Sequence, residues 1–262
     1  MNIIFFTQED PFYVKAFFEE FLKLFTPLDE IKAVVISRPM GKKSAFQLAR
    51  QMYDLYGFAD FLRVGARYAF VKLMGIRKMR PASTGTKTYT LRQLMDAHGL
   101  TVIERNDLNS AEFRKMIGQY EADLFISVAC PVIFKKDLIF LAKRDCINIH
   151  SAPLPKYRGM LPNFWQLYHG EKKAGMTIHR IAEGIDTGDI ISQHFVPIET
   201  DETLHELIIK TKKLGARFMV ETIKDYRHER VQYRKMEGEG SYFTFPGKKD
   251  VAEFKRRGRR LL

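Results

Sequence analysis

The sequence predicts an α/β fold: a Rossmann-like, mostly parallel sheet with helices on both faces, plus a short C-terminal helical and basic tail. Three observations predict it. Short apolar runs of strand length alternate with segments whose apolar residues recur at helical spacing. Cap and turn residues fall at the joints between them. Strands separated by helical segments imply right-handed βαβ crossovers, and hence a parallel sheet.

The elements follow in order along the chain. NIIFF is a first strand, and Asp10 and Pro11 serve as N-cap and first residue of a helix through PFYVKAFFEEFLKLF. IKAVVIS is the second strand. Thr90 and Gln93 fit a capping box ahead of LRQLMDAH, and Gly99 stops that helix before the strand LTVIER. Asn109 with Glu112 opens another helix, ADLFISVA is a buried strand, FKKDLIFLAK a helix and CINIH the next strand. AGMTIHRI and GDIISQHFVPI are two more strands, joined by AEGIDTGD. From Asp201 the chain predicts a long amphipathic helix, TLHELIIKTKKLGARFMVETIKDY, then a short strand VQYRKM and the loop GEGSYFTFPGKKD.

Composition excludes several classes of function. With 262 residues and 45% hydrophobic content the chain can bury its own core. Cys130 and Cys146 stand apart, with no CxxC pair and no histidine cluster at ligand spacing, so neither a disulfide framework nor a metal site is expected. Cysteine usage fits a reducing, cytoplasmic setting. The first residues lack the pattern of a signal peptide, and no apolar run is long enough to span a bilayer. The net charge of +12 resides almost wholly in residues 61–80, with six basic residues and no acid, and 247–262, with seven basic and two acidic. Two local patches are weaker evidence for nucleic-acid binding than a uniformly basic surface. There is no GxGxxG after the first strand and no GxxxxGK[ST], so nothing points to a dinucleotide or a P-loop ligand.

The chemistry concentrates at CINIHSAPLPKYRG. Alternate strand residues share a face, so Asn148 and His150 point the same way at the end of a strand. Open parallel sheets bind ligands beyond the carboxyl ends of their strands. Downstream, Asp186 sits in a glycine-flanked turn, between Ile185 and Thr187 and inside Gly184 and Gly188. Such a turn aims one carboxylate from a loop and allows close ligand approach. Taken alone, each feature also has a bland reading, a satisfied strand-end histidine and a turn-forming aspartate.

The run INIHSAPLPKYRGMLPNFWQLYHGEKKAGMTIHRIAEGIDTGDIISQ resembles the 10-formyltetrahydrofolate-dependent formyltransferases, which include glycinamide ribonucleotide, methionyl-tRNA and amino-sugar enzymes. The Asn-x-His and Leu-Pro-x-x-Arg-Gly pattern falls on Asn148, His150, Leu154, Pro155, Arg158 and Gly159, and the Asp-x-Gly turn on Asp186. The likeness is strongest from about Ala122 to Pro197 and weak in residues 60–90 and the tail. It implies the formyltransferase catalytic-domain fold over residues 1–200, with 201–262 as a C-terminal helix and basic tail packed on the same domain.

It also implies roles. Asn148, His150 and Asp186 are the catalytic set: Asn148 and His150 stabilise the oxyanion formed when a primary amine attacks the formyl carbon. Asp186 orients His150, favours its imidazolium, and accepts the amine's proton through water. No covalent enzyme intermediate is required. 10-Formyltetrahydrofolate is the formyl donor, and Val132, Ile133, Phe134, Ile185 and Asp186 line its site. Pro131 departs from the family's glycine in that loop, and Phe164 and Trp165 are assigned to helix packing.

For the acceptor the resemblance favours a small primary amine such as an amino sugar, because SYFTFP is similar to the C-terminal pieces of smaller members and no second β-barrel domain is expected to follow. Methionyl-tRNA is the alternative acceptor. A 10-formyltetrahydrofolate hydrolase and a non-enzymatic nucleic-acid binder are alternatives of other classes. Segments 61–80 and 247–262 are the candidate contacts for tRNA or an anionic membrane surface. Within 58–80, Arg63, Arg67 and Lys72 fall roughly on one side of a helix, followed by Arg77, Lys78 and Arg80. This reads either as a core-facing helix with a solvated basic face or as an interfacial helix, and the latter would make the protein peripheral to a membrane.

Overall fold

The computed structural model describes residues 1–38, 44–76 and 87–262. Its centre is a seven-stranded sheet. The strands, in chain order, are β1 (Ile3–Gln8), β2 (Ile31–Ser37), β3 (Val102–Glu104), β4 (Leu124–Val128), β5 (Asp145–His150), β7 (Lys173–Arg180) and β8 (Ile190–Pro197). A separate two-stranded ribbon pairs β6 (Arg158–Gly159) with β9 (Tyr242–Phe243). The sheet order is β3-β2-β1-β4-β5-β7-β8. The first five strands are parallel, whereas β7 and β8 join antiparallel. A short joint such as 181–189 cannot hold a crossover helix, so it returns the chain beside itself.

The helices are α1 (Tyr13–Leu24), α2 (Ala45–Tyr56), α3 (Phe58–Gly75), α4 (Leu91–Ala97), α5 (Ala111–Gly118), α6 (Lys136–Ile139), α7 (Pro162–Tyr168), α8 (Leu204–Arg227) and α9 (Lys248–Arg256). Alternation along β1 assigns the two faces of the sheet. Ile3 and Phe5 enter a core with α1, α4 and α8, while Ile4 and Phe6 enter one with Phe113, Ile117 and Leu138 of α5 and α6. The α8 helix is part of the first layer, burying Ala216, Met219, Ile223 and Tyr226 against the sheet and α1. A third cluster joins α7, α9 and the start of α8, with Phe164 stacked on Phe254 at 4.5 Å.

Several boundaries differ from the sequence reading. The α1 helix starts at Tyr13, because the Asp10 carboxylate accepts from the Phe12 and Tyr13 N–H groups, each at 2.9 Å, and so acts two residues further out. Thr90 caps α4 by accepting from Gln93 N–H, but the Gln93 side chain accepts from Tyr89 instead of closing the reciprocal box. Ser110, not Asn109, caps α5, and Glu112 pairs with Arg105. FKKDLIFLAK is helical only over Lys136–Ile139, and VQYRKM contributes a single bridge, Arg234 to Ile190. The helix α2, capped by a full Ser44–Gln47 box, is an element the sequence reading did not include.

Candidate active site

The site forms where β5 ends. Asn148 and His150 share a strand face through the period of two, and β5 pairs with β7 so that Asn148 faces His179 and His150 faces Thr177. The Asp186 turn folds back over this corner at the end of β7. Asp186 adopts φ +52°, and a Cβ on Gly188 would lie 1.9 Å from the Arg180 carbonyl oxygen, so this tight return requires glycine there. The outcome is a cluster of four polar side chains. His150 Nδ1 and His179 Nε2 each lie 3.6 Å from one Asp186 oxygen, and Asn148 Nδ2 is 3.1 Å from His179 Nε2.

Hydrogen bonding assigns the protons. His150 Nε2 is 2.8 Å from the Tyr157 carbonyl and His179 Nδ1 is 2.8 Å from the Arg180 carbonyl. A carbonyl only accepts, so both of those nitrogens carry hydrogen. In the neutral rings His179 Nε2 then accepts from the Asn148 amide, and His150 Nδ1 faces the carboxylate. His179 was not among the residues singled out from sequence, yet its ring lies between Asn148 and Asp186.

Electrostatics separate the two roles expected of the His–Asp pair. Burial is the largest influence on His150 and lowers its pKa below 6.5, reinforced by His179 and Lys212, and it outweighs the raising effect of Asp186. Asp186 does favour the imidazolium, as expected, but desolvation outweighs it and His150 is neutral near pH 7. For Asp186 burial is again the largest single influence and acts upward. The adjacent His179 and His150 rings and the Gly159 N–H together overcome it and hold the carboxyl at about 2. Gly159 N–H donates to Asp186 at 3.1 Å. The site thus holds an ionised carboxylate beside a neutral imidazole.

The loop 151–157 is fastened to the sheet. Thr177 donates to the Ala152 carbonyl and accepts from Leu154 N–H, Gln193 donates to the Leu154 carbonyl, and Gln166 ties Ser151 to Gly175. Its far side is buttressed by the SYFTFP segment. Ser241 accepts from Tyr157 and Arg158 N–H, Phe243 stacks on Trp165 at 4.6 Å, and β9 pairs with Arg158 and Gly159. Trp165 and Phe164 accordingly pack α7, as expected. Arg158 Nε is buried without a hydrogen-bond partner, a donor left over beside the site.

The five residues assigned to the donor do not behave alike. Ile133 and Ile185 are exposed and Val132 is half-buried, so these three offer apolar surface. Phe134 turns into the core, its ring 5.0 Å from Phe6, and supports the loop from beneath instead of lining a pocket. Asn109 pins the same loop, donating to the Ile133 carbonyl at 2.9 Å and accepting from Lys135 N–H at 2.8 Å. Among the described residues no group of His, Cys, Asp and Glu could hold a metal ion.

The chain is 31% identical over 176 residues to a methionyl-tRNA formyltransferase of Agathobacter rectalis, a match covering 66% of this chain and 57% of the relative. It is 33% identical over 157 residues to that of Ehrlichia ruminantium, covering 58% and 52%. The chain thus spans about half the length of the curated relatives it matches. In fold it is similar to WlaRD, a sugar 3N-formyl transferase solved in the presence of dTDP and 5-N-formyl-THF, with a TM-score of 0.59, 19% identity, and 93% and 69% of the two chains covered. It is similar also to an N-formyltransferase of Helicobacter canadensis in complex with folinic acid and dTDP-3-aminofucose, with a TM-score of 0.57, 20% identity, and 93% and 71% covered. Residues 71–223, more than half of the sequence and the part that contains the Asn148–His150–Asp186 cluster, match the model of the formyl transferase family, to which this chain belongs.

Proposed function

We propose that this chain is an N-formyltransferase, moving a formyl group from 10-formyltetrahydrofolate to a primary amine, and that a small amine such as an amino sugar is the acceptor. The observation that carries the reading is the convergence of Asn148, His150, His179 and Asp186 at the carboxyl end of β5. The reaction forms a carbon–nitrogen bond at the acceptor, breaks the bond from the formyl carbon to N10, and moves one proton from the amine to N10. Asn148 has a carboxamide N–H to offer a formyl oxygen as negative charge develops there. Asp186, ionised throughout the neutral range, is the base that takes the proton from the attacking amine, directly or through one water. His150, neutral and buried, has its unprotonated Nδ1 beside Asp186, where it can receive that proton and return it from the same nitrogen on its way to N10.

The residues present fit a formyl donor of this kind. Ile133, Ile185 and Val132 supply apolar flanks, and the loop pinned by Asn109 supplies backbone polar groups for a ring edge. A small acceptor is supported by the β6–β9 ribbon, which closes the Arg158–Gly159 loop from behind and leaves Arg158 Nε as a buried donor for an anionic substituent.

Methionyl-tRNA is a second acceptor reading, favoured by the 31–33% identity to those enzymes and by the basic segments. The test offers 10-formyltetrahydrofolate with nucleotide-linked amino sugars and with charged initiator tRNA, following tetrahydrofolate release and the formylated product. Release with an amino sugar supports the first reading and release with tRNA the second. Release without any amine indicates hydrolysis, and no release with any of them defeats formyl transfer.

A further inference from the structure

The α3 helix presents its apolar side to the outside. It has eighteen residues and none of its side chains is buried. At 100° per residue, Phe58, Leu62, Ala66, Ala69, Leu73 and Ile76 form one stripe, and every one of them is exposed, Leu73 at 65% and Ile76 at 77%. The opposite side carries Phe61, Val64, Val71 and Met74, all half-buried against the rest of the protein. Arg67 belongs to that inner side, its guanidinium 4.7 Å from the centre of the Phe12 ring. An apolar face does turn inward, but the expectation that Arg63, Arg67 and Lys72 share one side is corrected: Arg63 and Lys72 flank a second, outward apolar stripe and Arg67 reaches inward to Phe12. Arg77, Lys78 and Arg80 lie outside the described residues.

Charge borders the stripe on both sides. Arg63 and Lys72 are exposed and fall about 90° to either side of its centre. At the α2–α3 turn, Lys255 of α9 lies 3.9 Å from where a Cβ on Gly57 would stand, and Lys248 reaches Asp54 of α2 at 3.3 Å. The C-terminal basic segment thus reaches the α2–α3 turn, nearly two hundred residues away in sequence.

We propose that the α2–α3 hairpin docks on an anionic lipid surface, laying the stripe from Phe58 to Ile76 into the headgroup boundary with Arg63, Lys72 and Lys255 at the rim. Charge decides among occupants. A second copy would set basic rim against basic rim, since the one acid of α3, Asp60, lies on the inner side, opposite the stripe. A nucleic acid would satisfy the rim but leave Leu62, Leu73 and Ile76, which do not stack on bases, without burial. An anionic bilayer takes both the apolar stripe and the charges, whose aliphatic stems reach past the stripe to the phosphates.

The test is co-sedimentation with phosphatidylcholine vesicles, with and without phosphatidylglycerol, at low and high salt. Binding should require the anionic lipid and weaken with salt. Leu62→Ser with Leu73→Ser should weaken it more than about tenfold, and Arg63→Gln or Lys72→Gln about fivefold each. All four positions are exposed, so the melting temperature should stay unchanged, and Lys255→Gln provides an independent variant outside the helix. Failure to bind anionic vesicles at low salt, or equal binding to neutral ones, overturns the proposal. So does self-association or RNA binding abolished by the leucine pair without any vesicle binding. None of these readouts depends on formyl transfer, so the outcome is separate from that of the catalytic reading.

Discussion

His179 lies directly opposite Asn148 across the β5–β7 ladder, its Nε2 3.1 Å from the Asn148 carboxamide nitrogen. Because His179 Nδ1–H is held by the Arg180 carbonyl, Nε2 can only accept from Asn148 in the neutral ring, which fixes the amide the right way round. The Asn148 oxygen is then directed away from His179, and the second amide hydrogen is available to substrate. His179 is a positioning residue. His179→Ala should lower kcat by about tenfold or more with little change in KM, since the amide keeps its place but loses its orientation. His179→Gln, which can still accept, should recover part of that loss. A KM effect alone, or no difference between the two variants, would remove His179 from the mechanism.

The catalytic set predicts larger effects. Asn148→Ala, His150→Ala and Asp186→Ala should each lower turnover by at least about a hundredfold in folded protein. His150 and Asp186 act on one proton path, so their double variant should lose little beyond the worse single one. Full additivity would show two independent functions.

These residues divide by how far their signals reach along the chain. Asn148 and His150 were legible because a period of two is local, and Asp186 because glycines flank it. His179 was not, since its role depends on the antiparallel register of β5 with β7, a pairing no short stretch specifies. Asn109 shows the same limit: its Asn-x-x-Glu spacing reads as a helix start, but Ser110 takes the cap and frees Asn109 to tie a loop 24 residues away. The outward apolar stripe of α3 was not legible either, because two half-apolar faces compete and the contact of Arg67 with Phe12 helps settle which one turns inward.

Acidification should act in two stages. His150 has its pKa lowered from 6.5 in the folded state, so the unfolded chain takes up a proton first and stability falls as pH drops below about 6.5. Asp186, depressed from 3.8 to about 2, contributes stability that is present above about 4 and lost between the two values, on the order of 2 kcal/mol. Asp186→Asn should abolish the second stage and, by removing the one raising influence of a carboxylate, lower the His150 pKa further. Titration of the His150 ring by NMR checks the sign, and an upward shift in the Asn variant would reverse the electrostatic assignment.

Gly159 joins the site to its support, which makes it a sensitive backbone position. Its φ of +96° lies where a side chain is strained, and a Cβ there would stand 2.2 Å from the Phe243 carbonyl oxygen in the β6–β9 ribbon. Gly159→Ala must therefore push β9 away or rotate the peptide whose N–H donates to Asp186. Strain of this kind costs about 2 kcal/mol, or roughly 4–8 °C in melting temperature for a chain of this size. Loss of the donor should also raise the Asp186 pKa, since that N–H is one of the groups holding it down. Gly238 provides the control, because it too has a positive φ, +87°, but nothing lies within 4 Å of its Cβ position. Gly238→Ala should cost the backbone strain alone and leave turnover intact. Equal activity losses in the two variants would mean that the ribbon does not support the catalytic corner.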